Sequence, residues 1–131
     1  MNKKSIVPSS FDNYYRDWHM SPAIICQGFV FLTGFTGVRP DGTISTDPVA
    51  QIRQAFLSIE TVLKKGGMSF DNVIEMTTYH VKLQDHIDLF RTIRDEFIVE
   101  PYPAWTAIEV SGFITKKAIV EIRVIAYQSG E

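Results

Sequence analysis

Ala118-Ile119-Val120-Glu121-Ile122-Arg123-Val124-Ile125-Ala126-Tyr127 is the stretch on which the fold turns. Successive side chains of a strand point to opposite faces. Ala118, Val120, Ile122, Val124 and Ala126 therefore share one wholly aliphatic side. Ile119, Glu121, Arg123, Ile125 and Tyr127 share the other, where apolar and charged residues mix. The aliphatic side needs a cover. Working back along the chain, residues 104–111 read as the preceding strand, with Thr106, Ile108 and Val110 opposing Trp105, Ala107 and Glu109. Ahead of it, Pro101 and Pro103 stop a helix that Asp85 caps and that carries Ile87, Phe90, Ile93, Phe97 and Ile98.

Residues 73–82, rich in β-branched and aromatic side chains, read as another strand behind the Ser69-Phe70-Asp71-Asn72 turn. The spacing before that turn predicts a helix over 48–65. Asp47 is its N-cap and Pro48 takes the first position, where a missing N–H costs nothing. Ile52, Ala55, Phe56, Ile59, Val62 and Leu63 fall on one face. Lys64 and Lys65 suit the negative end of the helix dipole, and Gly66 is the expected left-handed cap. Arg39-Pro40-Asp41-Gly42 has turn chemistry. Two short strands lie on either side of Gln27-Gly28, reaching to Gly34, while the first twenty residues show aromatic side chains and no period. The order is β-β-α-β-α-β-β, an α+β domain with one mixed sheet, over the single unit 1–131.

Two helices cover one side of such a sheet, and the aliphatic sides are their natural partners. Left over is a face holding Phe29, Phe31, Phe35, Trp105, Ile119 and Ile125, mixed with Glu121 and Arg123. That is more contiguous apolar surface than a monomer exposes, so the face is expected to be buried between subunits.

Composition narrows the function. The 131 residues are 45% hydrophobic and 21% charged, enough for a core. Thirteen Lys and Arg against fifteen Asp and Glu give a net charge of -2, the wrong balance for a nucleic-acid binder that relies on a basic field. A single cysteine, Cys26, excludes an internal disulfide and a multi-thiolate zinc site. His19, His80 and His86 are scattered and form no metal motif, so neither metal nor cofactor is expected. Met1 is followed by polar residues, and no apolar run approaches the ~20 that span a bilayer. A cytoplasmic protein with no membrane association is expected.

Several strings resemble the Rid family of reactive-intermediate deaminases, also called YjgF-like or L-PSP endoribonuclease-like. They are Phe31-Leu32-Thr33-Gly34, Lys64-Lys65-Gly66-Gly67, Phe70-Asp71-Asn72-Val73, Thr77-Thr78-Tyr79-His80-Val81-Lys82, Tyr102-Pro103-Ala104, Glu109-Val110 and Val120-Glu121-Ile122. Their order and spacing, over roughly residues 20–127, carry the resemblance. It implies a chorismate-mutase-like fold, with two helices on one face of the sheet and the other face packed in a homotrimer. It also implies small-molecule clefts between subunits. In such proteins the chemistry is hydrolysis of enamines and imines to 2-oxo acids and ammonia, without a cofactor. An arginine grips the substrate carboxylate and a glutamate positions water.

This chain departs from that pattern at definite places. The family's arginine follows Pro-Ala; here Pro103-Ala104 is followed by Trp105, whose indole has one donor and no charge. Ala107 stands at a position that is small and polar or Cys, and Met20 at one that is Tyr. Glu121 is the clear survivor of the polar set. The resemblance thus implies Glu121 as the catalytic residue and Trp105, Thr33, Phe35 and Arg91 as lining a more aromatic, less cationic cleft. Arg91 or Arg123 is the candidate replacement for the missing positive charge. Two functions follow: a divergent imine or enamine deaminase in which Glu121 orients water, or a non-catalytic, ligand-binding or structural trimer that has lost this chemistry.

Overall fold

The computed structural model describes residues 2–129. In chain order the elements are β1 (Lys3–Ile6), α1 (Asp12–Arg16), β2 (Ala23–Cys26), β3 (Phe29–Leu32), β4 (Phe35–Thr36) and α2 (Pro48–Lys65). After them come β5 (Val73–His80), α3 (Leu83–Arg94), β6 (Ala104–Glu109) and β7 (Val120–Tyr127). The strands form one mixed sheet in the order β1-β2-β3-β7-β5-β6, with β4 continuing the pairing of β3 along β7. Only β5 and β6 run parallel, as a strand–helix–strand unit through α3 requires.

The helix read over 48–65 is α2, with Asp47 accepting the Ala50 N–H at 3.1 Å. Its end differs in one detail from expectation. Gly66 has φ −88° and Gly67 has φ +76°, so the left-handed residue is Gly67. The Gly67 N–H reaches Lys64 O and the Met68 N–H reaches Leu63 O, and buried Met68 closes the turn onto the core. At α3, Asp85 is not the cap. Lys82 occupies that place with φ +52°, and the Glu109 carboxylate takes the free Leu83 N–H at 3.0 Å.

Beneath α2 and α3 the core collects Ile52, Phe56, Ile59 and Leu63, Phe90 and Ile93, and the aliphatic side of β7. Phe56 stacks on Phe97 at 4.9 Å between centroids and tilts against Phe90 at 5.6 Å. Buried Gln51 ties α2 to the entrance of β7. Its amide donates to Ser45 O and Lys117 O, both at 3.0 Å, and its carbonyl accepts the Ile119 N–H at 2.6 Å.

The far side of the sheet carries no helix of comparable size, and Phe29, Phe31, Ile108 and Tyr127 are exposed on it. Three residues assigned to this side from the sequence lie elsewhere. Phe31 pairs with Ile125 but Phe35 pairs with Ile122, so one extra residue enters between β3 and β4. That slip reverses the alternation and turns Phe35 into the core, 1% exposed. Trp105 pairs with Met76, which faces the helices, so the indole does too. Ile119, just ahead of β7, packs against the core.

Candidate functional site

Glu121 sits one residue into β7, where Thr36 of β4 lies on one side of it and Tyr79 of β5 on the other. Its side chain leaves the helix-covered side of the sheet and reaches a pocket of about 200 Å³. Asn13, Tyr14, Trp18 and Met20 wall it from α1 and the loop after it. Gly34, Thr36 and Val38 line it from the β3–β4 region, and Ile114 and Thr115 from the loop before β7.

Gly34 makes room for the carboxylate. A Cβ there would collide with the Glu121 carboxyl group, so the residue that starts the β3–β4 slip must be small. The slip also builds the pocket's aromatic wall. Phe35, turned inward, stacks on Tyr14 at 5.6 Å and 19°, and Phe11 packs against both rings. This anchors a five-residue helix too short to be stable alone.

Half-buried Glu121 has no hydrogen-bond or ion-pair partner among the described side chains. Burial raises its pKa above the ordinary carboxyl range. Burial also raises the Tyr14 phenol, and the nearby Glu121 charge adds to that shift. A carboxylate with raised proton affinity beside an aromatic hydroxyl can accept a proton from water and return it, which is the equipment of a general base. Among the described residues of this chain no Lys or Arg lines the pocket.

The other sequence candidates do not converge on it within one chain. Thr33 comes nearest: its hydroxyl donates to Met20 Sδ at 3.6 Å, so it positions a lining residue. Phe35 supports the wall from behind. Arg91 is exposed on α3, 3.9 Å from Asp88. Arg123 lies on the open face beside the β3 edge, its Nε donating to Leu32 O at 3.3 Å. Trp105 is on the opposite side of the sheet, where its indole stacks on Phe90 at 5.8 Å and donates to Thr78 Oγ1 at 2.9 Å. The Arg94 guanidinium lies 4.8 Å over the indole. Thr78 in turn meets buried His80 Nε2 at 2.7 Å. Among the described residues no three His, Cys, Asp or Glu side chains form a group able to hold a metal. No helix of the described residues is long and apolar enough to cross a membrane.

Tyr14 and Trp18 are the aromatic lining residues that sequence reasoning passed over. Their signal was the aromatic content of a segment without period.

A mixed sheet with its two long helices on one side is the architecture of the chorismate-mutase-like class of small α+β proteins. Within it, the family model described as Endoribonuclease L-PSP matches residues 16–128, and the chain belongs to this Rid/YjgF-like family. The chain is similar to the RutC family protein YjgH of Escherichia coli, 32% identical over 112 residues, covering 85% of this chain and 86% of that one. A solved structure of protein YJGH superposes with a TM-score of 0.91 at 29% identity over the full length of both chains. A bovine (Bos taurus) relative named 2-iminobutanoate/2-iminopropanoate deaminase is 29% identical over 113 residues, covering 82% of this chain and 79% of its own.

Proposed function

We propose that the protein is a divergent Rid-family hydrolase that acts on an imine or enamine at the Glu121 pocket. The single observation that carries this reading is the half-buried, unpaired carboxylate, its proton affinity raised by burial, in a pocket walled by Tyr14 and Trp18. Glu121 takes a proton from water as the oxygen attacks the C=N carbon, then returns it to nitrogen so that ammonia departs and a carbonyl remains. The deaminase name borne by the bovine relative supports the same chemistry. In this proposal three copies associate through the open sheet face. Support comes from its exposed apolar residues, Phe29, Phe31, Ile108 and Tyr127, each 37–44% exposed. Arg91 or Arg123 of a neighbouring copy would then border the cleft.

The test is ammonia release from freshly generated 2-aminoacrylate and a panel of imines, with Glu121→Gln as control. Turnover that the control lacks is the expected result; equal rates for both proteins on every substrate refute the reading. Light scattering checks the assembly, and a monomer refutes the trimer.

The second reading, a ligand-binding trimer without chemistry, has its own observation. The residue after Pro103-Ala104 is an indole held between Phe90, Thr78 and Arg94, so this position carries no guanidinium of its own. Binding of a small molecule without turnover would favour it.

A further inference from the structure

Water attacking a C=N carbon pushes an electron pair onto nitrogen, so a neutral imine needs an acid at that atom as well as a base at the water. Glu121 is the base. Tyr14 lines the same space, its ring held against Phe35 at 5.6 Å and Phe11 at 5.3 Å. The Tyr14 hydroxyl has no hydrogen-bond partner among the described residues and is not sealed from solvent, so its proton is uncommitted within the chain. A phenol is a far stronger acid than the threonine hydroxyls or the asparagine amide on this chain's side of the pocket. Burial and the Glu121 charge both raise its pKa, so Tyr14 holds that proton at neutral pH. Both groups come from one chain, so the pair is formed whatever a neighbouring copy adds to the cleft.

We infer that Tyr14 is a second catalytic residue of this pocket, the acid that delivers a proton to the substrate nitrogen while Glu121 takes one from water. The inference deepens the hydrolase reading and rests on it. In the first step the water oxygen bonds to the C=N carbon and gives a proton to Glu121, while the π pair moves to nitrogen and takes the Tyr14 proton. A carbinolamine then lies between a neutral carboxyl and a phenolate. In the second step the carboxyl returns its proton to nitrogen and the phenolate takes the proton of the new hydroxyl. The C–N bond breaks with its pair on nitrogen, and ammonia and a carbonyl compound leave both side chains as they began. The two groups assist each other. Once Glu121 is protonated its charge no longer holds the phenol back, so Tyr14 becomes a stronger acid at the moment its proton is needed.

The test measures ammonia release from freshly generated 2-aminoacrylate and the imine panel by full-length wild type, Tyr14→Phe, Tyr15→Phe and Glu121→Gln. Tyr14→Phe keeps the ring against Phe35 and Phe11 and removes a hydroxyl that no residue of the chain uses, so its melting temperature should match wild type. Its kcat should fall at least about tenfold, with KM changed by less than about threefold. Tyr15, 49% exposed and outside the pocket lining, is the matched control, and Tyr15→Phe should turn over as wild type does. A Tyr14→Phe protein with wild-type kcat overturns the inference, and so does a loss carried wholly by KM or an equal loss in Tyr15→Phe. The two proposals fail in different ways. Wild-type kcat in Tyr14→Phe beside an inactive Glu121→Gln upholds the hydrolase and removes Tyr14 from its chemistry. Absence of turnover by the wild type on every substrate refutes the hydrolase, and the role of Tyr14 falls with it.

Discussion

His80 gives the most quantitative prediction. The ring is 1% exposed, edge-on to Phe90 at 4.9 Å, and its Nε2 lies 2.7 Å from Thr78 Oγ1. The Trp105 indole can only donate, so the Thr78 hydroxyl that accepts from it gives its own proton to Nε2. That arrangement needs a neutral imidazole. Burial, with a smaller contribution from the charge of His86, lowers the His80 pKa from 6.5 to about 4. Between those values the unfolded chain binds a proton that the folded chain refuses, so stability falls as pH falls through this window. A gap of about 2.5 units, at about 1.36 kcal/mol each, amounts to about 3 kcal/mol lost by pH 4. Urea unfolding of the wild type and of His80→Gln, at steps from pH 7 to pH 4, isolates this residue because the other titrating groups are common to both. The wild-type curve should descend about 3 kcal/mol further than the variant's. Parallel curves, or an imidazole resonance that titrates near pH 6.5, refute the reasoning.

Four other outcomes follow from the same geometry. Gln51→Leu strips Ser45, Lys117 and Ile119 of their partner and should cost about 2–4 kcal/mol in chemical denaturation, with the loop lining the Glu121 pocket loosened toward proteolysis. Gly34→Ala pushes on the flexible end of Glu121 rather than on backbone, so the melting temperature should change little while imine turnover falls. Any turnover should lose its acid limb at a pH above the ordinary carboxyl range, because Glu121 must be ionised and its pKa is raised; a limb at or below pH 4.5 would contradict this. Trp105→Arg sets a second guanidinium against Arg94 and removes an aromatic from Phe90. A loss of about 3 kcal/mol is expected, partly restored by Arg94→Leu in thermal melts.

Elements whose stability comes from their own periodicity were legible in the sequence. The bounds of α2, the β2–β3 hairpin at Gln27-Gly28 and the aliphatic side of β7 all follow from local spacing. What stayed hidden depends on partners. β1 is Lys-Lys-Ser-Ile, four residues with no alternation, and it is a strand because β2 pairs with it. α1 is held by Phe35 through Tyr14, a contact no window of sequence contains. The site divides the same way. Glu121 could be placed on the open side of its own strand. Phe35 and Trp105 could not be placed, because their facing is set by registers against β7 and β5.

The extra residue between β3 and β4 has an evolutionary consequence. A wall of the pocket is set by the phase in which the strand restarts after the slip, with Phe35 opposite Ile122. Removing one residue from Thr33-Gly34 would make the β3–β4 ladder regular and leave Phe35 opposite Ile122, facing the core. Tyr14 would keep the ring it rests on, and the change would fall on the open side, where Gly34 makes room for the Glu121 carboxylate. Length variation at this one point is therefore a route by which relatives sharing the same core could reshape the space beside this carboxylate in one mutational step.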